Sequence, residues 1–242
     1  MSDVPAHTVK SYELELKRLR DLLTQMGGIV ENQVAEAARA VLEQDADAAT
    51  RCVEADPRVD AMEREAEQFV IRLLALRQPV ADDLRRIVAA MKTTVDVERI
   101  GDYSANIAKR SLVLAEFSLP YSMAGLAHMF AMVQENLKLV VDAIGESDPD
   151  KAAQVWRSDD VVDDIYTALF RELVTYMMED PRNITPCTHL LFIAKNLERI
   201  GDHATNIAET VYYAATGEVL PEQRPKGSSS AYAAVRPPKA QP

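Results

Sequence analysis

Glu98–Ala108 reads ERIGDYSANIA, and Glu198–Ala208 reads ERIGDHATNIA. Eight of the eleven residues are shared, one hundred positions apart. In a helix, residues four apart lie one turn apart on one face, with Cβ atoms about 5–6 Å from each other. Glu98, Asp102 and Asn106 therefore form one stripe, and Glu198, Asp202 and Asn206 form its copy. Ile100 and Ile107 fall on the other side, where a core should be. Gly101 and Gly201, inside these helices, point to a close approach of a neighbouring helix. Each stretch is thus a helix with an apolar side and an acidic side, and the fold contains it twice.

The duplication extends outward from these stretches. Val34 to Asp45 matches Leu137 to Asp148 in pattern at an offset of 103, and a three-residue length difference near Gln78–Pro79 reconciles the two offsets. The first helix is predicted from Tyr12 to about Glu43, with Leu16, Leu19, Leu22, Leu23, Met26, Ile29 and Val30 on its apolar stripe. Gly27–Gly28 sits inside it, and two mid-helix glycines cost roughly 1 kcal/mol each relative to alanine unless close packing compensates. Asp56–Pro57 reads as an N-cap followed by proline at the first helical position. It opens a second long helix to about Arg77, after a short helical turn over Ala46–Ala55. Gln78–Pro79 ends that helix, because the residue before proline avoids the helical region. A third runs from about Asp82 to Glu116.

After Pro120 the plan repeats, with helices over about Ser122–Gly145, from Asp148–Pro149 to about Glu179, and over about Thr185–Thr216. The expected fold class is all-α: two tandem, pseudo-symmetric three-helix bundles with six main helices, spanning residues 8–117 and 120–216. Residues 217–242 turn to proline, serine and glycine without apolar periodicity and read as a disordered tail.

Composition agrees with such a chain and narrows its chemistry. Of 242 residues, 48% are hydrophobic and only 8 are glycine, which favours helix. A formal net charge of −11 disfavours a nucleic-acid ligand, which would need a basic face, and suits cations or basic partners. The two cysteines, Cys52 and Cys187, match no zinc spacing and nothing pairs them. That usage, with no signal-peptide core in MSDVPAHTVK, leads to an expected reducing, cytoplasmic location. No uncharged apolar run nears the ~20 residues of a membrane span, so any membrane role is expected to be peripheral.

A second set of acids lies on the preceding helix of each repeat. Asp56 and Asp60 are four apart, and so are their copies Asp159 and Asp163. If the second and third helices of a repeat lie side by side, each repeat gathers four carboxylates: Asp56, Asp60, Glu98 and Asp102 in one, Asp159, Asp163, Glu198 and Asp202 in the other. Oxygen-only ligands suit hard cations such as magnesium, calcium, manganese or ferric iron; zinc is less expected without histidine or cysteine. The competing reading is a solvated face, since a lone acid pair of this spacing costs only a few tenths of a kcal/mol on a wet surface. Arg99 and Arg199, about 100° round from the acids, read as partners for a carboxylate or as ordinary surface arginines. Tyr103 and His203 replace each other and share no chemistry. There is no Gly-rich phosphate loop, nucleophile elbow or HExxH, and no histidine follows a glutamate by three residues, as a ferritin-like di-iron bundle requires. No enzymatic activity is expected.

ERIGD followed by NIA, written twice, resembles the PhoU family, the accessory proteins of the phosphate-specific transport system. MGGIVENQV, LRQPVADDLR and TYMMEDPRNIT agree with it, and the likeness runs from about Ser11 to Gly217. The resemblance implies a cytoplasmic, often homodimeric, negative regulator of the phosphate-starvation response. Its partners would be the ATPase side of the phosphate ABC transporter and the phosphate sensor histidine kinase. It also implies metal ions (iron, manganese, magnesium or zinc) on paired E/DxxxD motifs, here Asp56 and Asp60, Glu98 and Asp102, Asp159 and Asp163, and Glu198 and Asp202. A metal-storage or redox bundle and a metal-free helical adaptor are the alternatives.

Overall fold

The computed structural model describes residues 6–117 and 122–221. The described residues are helical almost throughout. They form α1 (Ala6–Leu42), α2 (Ala46–Arg77), α3 (Ala81–Leu114), α4 (Ala124–Glu146), α5 (Pro149–Arg157), α6 (Asp159–Glu179) and α7 (Ile184–Thr216), with a short 3-10 turn at Pro181–Asn183 before α7. Helices α1, α2 and α3 pack on one another as one bundle, and α4 to α7 form the second. The repeats meet through α3 against α7 and α1 against α4. The boundary expected at Pro120 and the tail over residues 222–242 lie outside the described residues.

Local chemistry explains where the chain turns. The duplicated aspartates at offset 103 cap the second limb of each repeat. Asp45 accepts from the Ala48 N–H at 2.9 Å, and Asp148 accepts from the N–H groups of Asp150 and Lys151 at 2.8 and 3.2 Å, meeting donors that no helical carbonyl can reach. Gln78, before Pro79, leaves the helical region for φ 45°, ψ 55° and ends α2. Gly217 closes α7 at φ +79°, a conformation glycine adopts without a Cβ penalty.

Two predictions fail at equivalent places. Asp56–Pro57 does not start a helix: α2 runs unbroken through both residues. A proline inside a helix removes one backbone bond and costs roughly 3 kcal/mol. The burial of Cys52 and Val59 on either side holds the helix in line despite it. The corresponding place in the second repeat has no proline, yet there the helix breaks at Ser158, with α5 ending at Arg157 and α6 starting at Asp159. Ser158 Oγ lies 2.8 Å from both the Val155 carbonyl and Asn136 Oδ1 on α4, and its one proton is shared between these two acceptors. A hydroxyl that competes for the backbone, held by a partner from another helix, outweighs local helix preference here.

The apolar stripes converge on a single core that continues from one repeat into the other, from Leu19, Met26 and Val30 through Ile100 and Ile107 to Phe130, Ile200 and Val211. Gly27 lies at the seam between repeats. A Cβ there would sit 2.8 Å from Val141 Cγ2 of α4, whereas one on Gly28 would meet nothing within 4 Å. Close packing therefore explains Gly27 and leaves Gly28 unexplained. A Cβ on Gly101 would sit 3.1 Å from Gln33 Oε1, a tight approach, whereas one on Gly201 would meet Val162 at 3.4 Å, an ordinary contact, so close packing accounts for Gly101 and not for Gly201.

Candidate metal centres

The helical spacing brings together both predicted sets of acids. In the first repeat, Asp56 and Asp60 on α2 lie beside Glu98 and Asp102 on α3. Burial, then the charges of Asp102 and Asp60, push the Asp56 carboxyl above the usual carboxylate range. Burial and Asp102 do the same to Glu98, reinforced by Glu63 and Asp60. Cations compensate in part: Arg99 reaches Asp102 at 3.1 Å and Glu98 at 3.5 Å, from a position half open to solvent, and Lys109 steadies Asp56 from a distance.

In the second repeat, Asp159 and Asp163 on α6 lie beside Glu198 and Asp202 on α7. Burial raises the Asp163 carboxyl to about 6, and Asp159, Glu198 and Asp202 add to the rise. Here the compensating cation is Lys195, whose ammonium stands 2.6 Å from the Glu198 carboxylate and 5.2 Å from the centre of the Tyr166 ring. Asp159, nearly buried, accepts a hydrogen bond from Thr205 Oγ1 at 2.8 Å.

Crowded, partly desolvated carboxylates of one sign are the electrostatic signature of a place that favours a cation. The donor set is all oxygen, which fits a hard ion and not a thiolate- or imidazole-seeking one. A buried amide lies beside the first cluster. Gln33 is fully buried and gives its amide N–H to the Cys52 carbonyl at 3.2 Å. Its Oε1 has no hydrogen-bond partner among the described residues, although Gln33 also stabilises the Asp56 charge. The side chains as they stand do not close around an ion: among the described residues, no three histidine, cysteine, aspartate or glutamate side chains converge on a common point. Each centre is a pre-gathered acid cluster whose rotamers would have to turn inward to coordinate.

Sequence reasoning overlooked several residues that shape these centres. Lys195, Thr205 and Ser158 stand where the first repeat has Val95, Ala105 and Ala55, so comparing the copies would have exposed them. Gln33 and its counterpart Asn136 carried no local signal, since their partners come from another helix. His203 and Tyr103, read as unrelated, meet across the α3–α7 seam with ring centres 5.6 Å apart. His203 Nδ1 lies 2.7 Å from Asp96 Oδ1, which accounts for it without a ligand role. Arg199 lies over the Tyr103 ring at 5.6 Å and, among the described residues, forms no ion pair of the kind Arg99 makes with Asp102. Farther along the same antiparallel pair, Arg110 covers Phe192 at 4.2 Å and Arg85 covers Tyr213 at 5.7 Å.

Comparison with known proteins places this arrangement. A family model described as the PhoU domain matches twice, over residues 23–111 and 126–211. The chain is 51% identical over 221 residues to a phosphate-specific transport system accessory protein PhoU homolog of Caulobacter vibrioides, covering 91% of this chain and 96% of that protein. It is 47% identical to one of Rhizobium meliloti, covering 91% and 94%. The crystal structure of PhoU from Pseudomonas aeruginosa superposes with a TM-score of 0.83 at 40% identity, over 86% of this chain and all of that one. The phosphate transport system regulatory protein PhoU from Streptococcus pneumoniae gives 0.80 at 30% identity, over 87% and 99%. Two matched domains, close relatives over nearly the whole folded length and a shared all-helical structure lead to one conclusion: this chain belongs to the PhoU family.

Proposed function

We propose that this protein is a cytoplasmic negative regulator of the phosphate-starvation response and takes part in phosphate homeostasis. In this reading it couples the ATPase of a phosphate ABC transporter to a sensor histidine kinase, keeps signalling off when phosphate is plentiful, and acts as a homodimer without catalysing a reaction. Support comes from the relatives, which carry the name of accessory proteins of phosphate-specific transport. An adaptor of this kind works by differential contact: it shifts its partners only by the difference in its affinity for their two states.

The single observation that carries the metal part of the proposal is the pair of four-carboxylate clusters, with Asp163 raised to about 6 by burial and like charge. A bound hard cation would neutralise that repulsion and draw α2 to α3, or α6 to α7. Asp56, Asp60, Glu98 and Asp102 would hold it in the first repeat, and Asp159, Asp163, Glu198 and Asp202 in the second. Oxygen donors favour magnesium, manganese or iron over zinc.

Two experiments test the proposal. Deleting the gene should raise phosphate-starvation gene expression in phosphate-rich medium; an unchanged response refutes the regulatory role. Pull-down from membranes in high and low phosphate should retrieve the transporter ATPase and the kinase in phosphate-dependent amounts. Iron-dependent oxygen consumption by the purified protein would favour a storage or redox bundle instead.

A further inference from the structure

Along α3, Leu84, Val88, Met91 and Val95 form one stripe, each between 37% and 45% exposed. Nothing in the duplicated fold requires it: at the matching places of α7 stand Ile184, Thr188, Leu191 and Lys195. The stripe borders a groove between α3 and α7, made of two adjoining hollows of about 730 and 590 Å³ that share Lys92, Glu209 and Thr210. Tyr213 and Val219 flank Leu84 and Val88 at one end. Glu63, Glu67 and Asp96 flank Met91 and Val95 at the other. Asp82 also lines it, paired with Arg85 at 3.1 Å. The groove is therefore apolar along its floor and acidic overall, with Lys92 and Arg85 as its basic members.

The chain itself runs into this groove. Gly217 turns it out of α7 against Arg85, and two residues later Val219 lines the groove while remaining 75% exposed. Beyond Pro221, residues 222–242 carry Arg224, Lys226, Arg236 and Lys239 against Glu222 alone, and include the apolar run Ala231–Val235. That segment has a net charge of +3 and residues 1–221 one of −14, together giving the −11 of the chain. We propose that the α3–α7 groove is the docking site of this chain's own basic C-terminal segment, with Ala231–Val235 on the Leu84–Val95 stripe and the flanking basic residues toward Glu63, Glu67 and Asp96. The lengths agree. The eleven residue rises from Leu84 to Val95 span about 17 Å at 1.5 Å each. Ten residue steps from Pro221 to Ala231, taken as a random coil, would reach about 18 Å on average. Docking requires no metal at either acid cluster.

A thiol-labelling experiment on the full-length chain tests this. The native Cys52 and Cys187 are buried, so a Val88→Cys thiol reports on the groove. A maleimide dye should label it at least tenfold more slowly in the native chain than in one also carrying R224E, K226E, R236E and K239E. Thr188→Cys, the matching place in the second repeat, should label at one rate in both backgrounds. About 0.5 M salt should abolish the protection, because it shortens the screening length to a few ångströms. Equal rates for Val88→Cys in the two backgrounds overturn the proposal. So does protection that survives charge reversal, which assigns the groove to a second copy or another partner. Protection that strengthens with protein concentration also overturns it, since the segment would then come from a neighbouring chain.

Discussion

The two acid clusters are copies in sequence and differ in what balances their charge. In the first, the nearest cation, Arg99, is half exposed and the Gln33 oxygen has no hydrogen-bond partner among the described residues. In the second, Lys195 stands against Glu198 at 2.6 Å and the Thr205 hydroxyl bonds Asp159. Duplication preserved the eight acids while their surroundings diverged. A cation entering the second centre must compete with a resident ammonium, and one entering the first meets only a solvent-screened guanidinium and the more distant Lys109. The first repeat should therefore bind the tighter ion.

The largest effect expected from this difference is on metal content. Glu98→Gln with Asp102→Asn should remove the ion of the first centre, and Glu198→Gln with Asp202→Asn that of the second. Metal analysis after manganese loading should show each double variant losing its own ion alone. A stoichiometry unchanged in both would remove the metal from the account altogether.

Next in size is the seam that holds the repeats together. Gly27→Ala presses a methyl into Val141, a stiff buried side chain of the other repeat, and should cost about 1–3 kcal/mol in denaturant unfolding. Gly28→Ala, with open space around it, should stabilise by about 0.5–1 kcal/mol. Equal effects would mean that the α1–α4 contact is looser than described.

Lys195→Val, which copies the first repeat, removes the resident cation and should tighten manganese at the second centre by roughly tenfold, about 1.4 kcal/mol. Calorimetric titration would measure it; an unchanged affinity would show that Lys195 is not the source of the asymmetry.

The smallest effect concerns protons. The fold raises the Asp163 pKa, so it favours the protonated carboxyl relative to the unfolded chain. Its contribution to stability is present below about pH 4 and lost as pH climbs to about 6. In metal-free protein, Asp163→Asn should raise Tm at pH 7.5, by about 1 kcal/mol of stability after allowing for solvent screening. The gain should shrink toward zero near pH 4. A gain that persists there would come from packing and not from charge.

Much of this was legible in the sequence because it rests on local periodicity. Ile100, Ile107, Ile200 and Ile207 are fully buried where the helical period places them. The acids four apart share a face, and the neighbouring helix of each repeat supplies the other pair. What escaped depends on contacts between distant segments. Asp56–Pro57 has the local grammar of a helix start, but buried neighbours carry α2 straight through it. Ser158 has no strong local signal, and its bond to Asn136, 22 residues away, helps hold the break. The pairing of His203 with Asp96 spans 107 residues and follows only from α3 and α7 running antiparallel.

The absence of any boundary in the apolar interior has a mechanical consequence. The two halves are joined where Val141 packs on Gly27 and along α3–α7, so they should unfold together. Heat or denaturant should take the whole body apart in one step. By the same coupling, a displacement begun at one end should be felt at the other without a hinge.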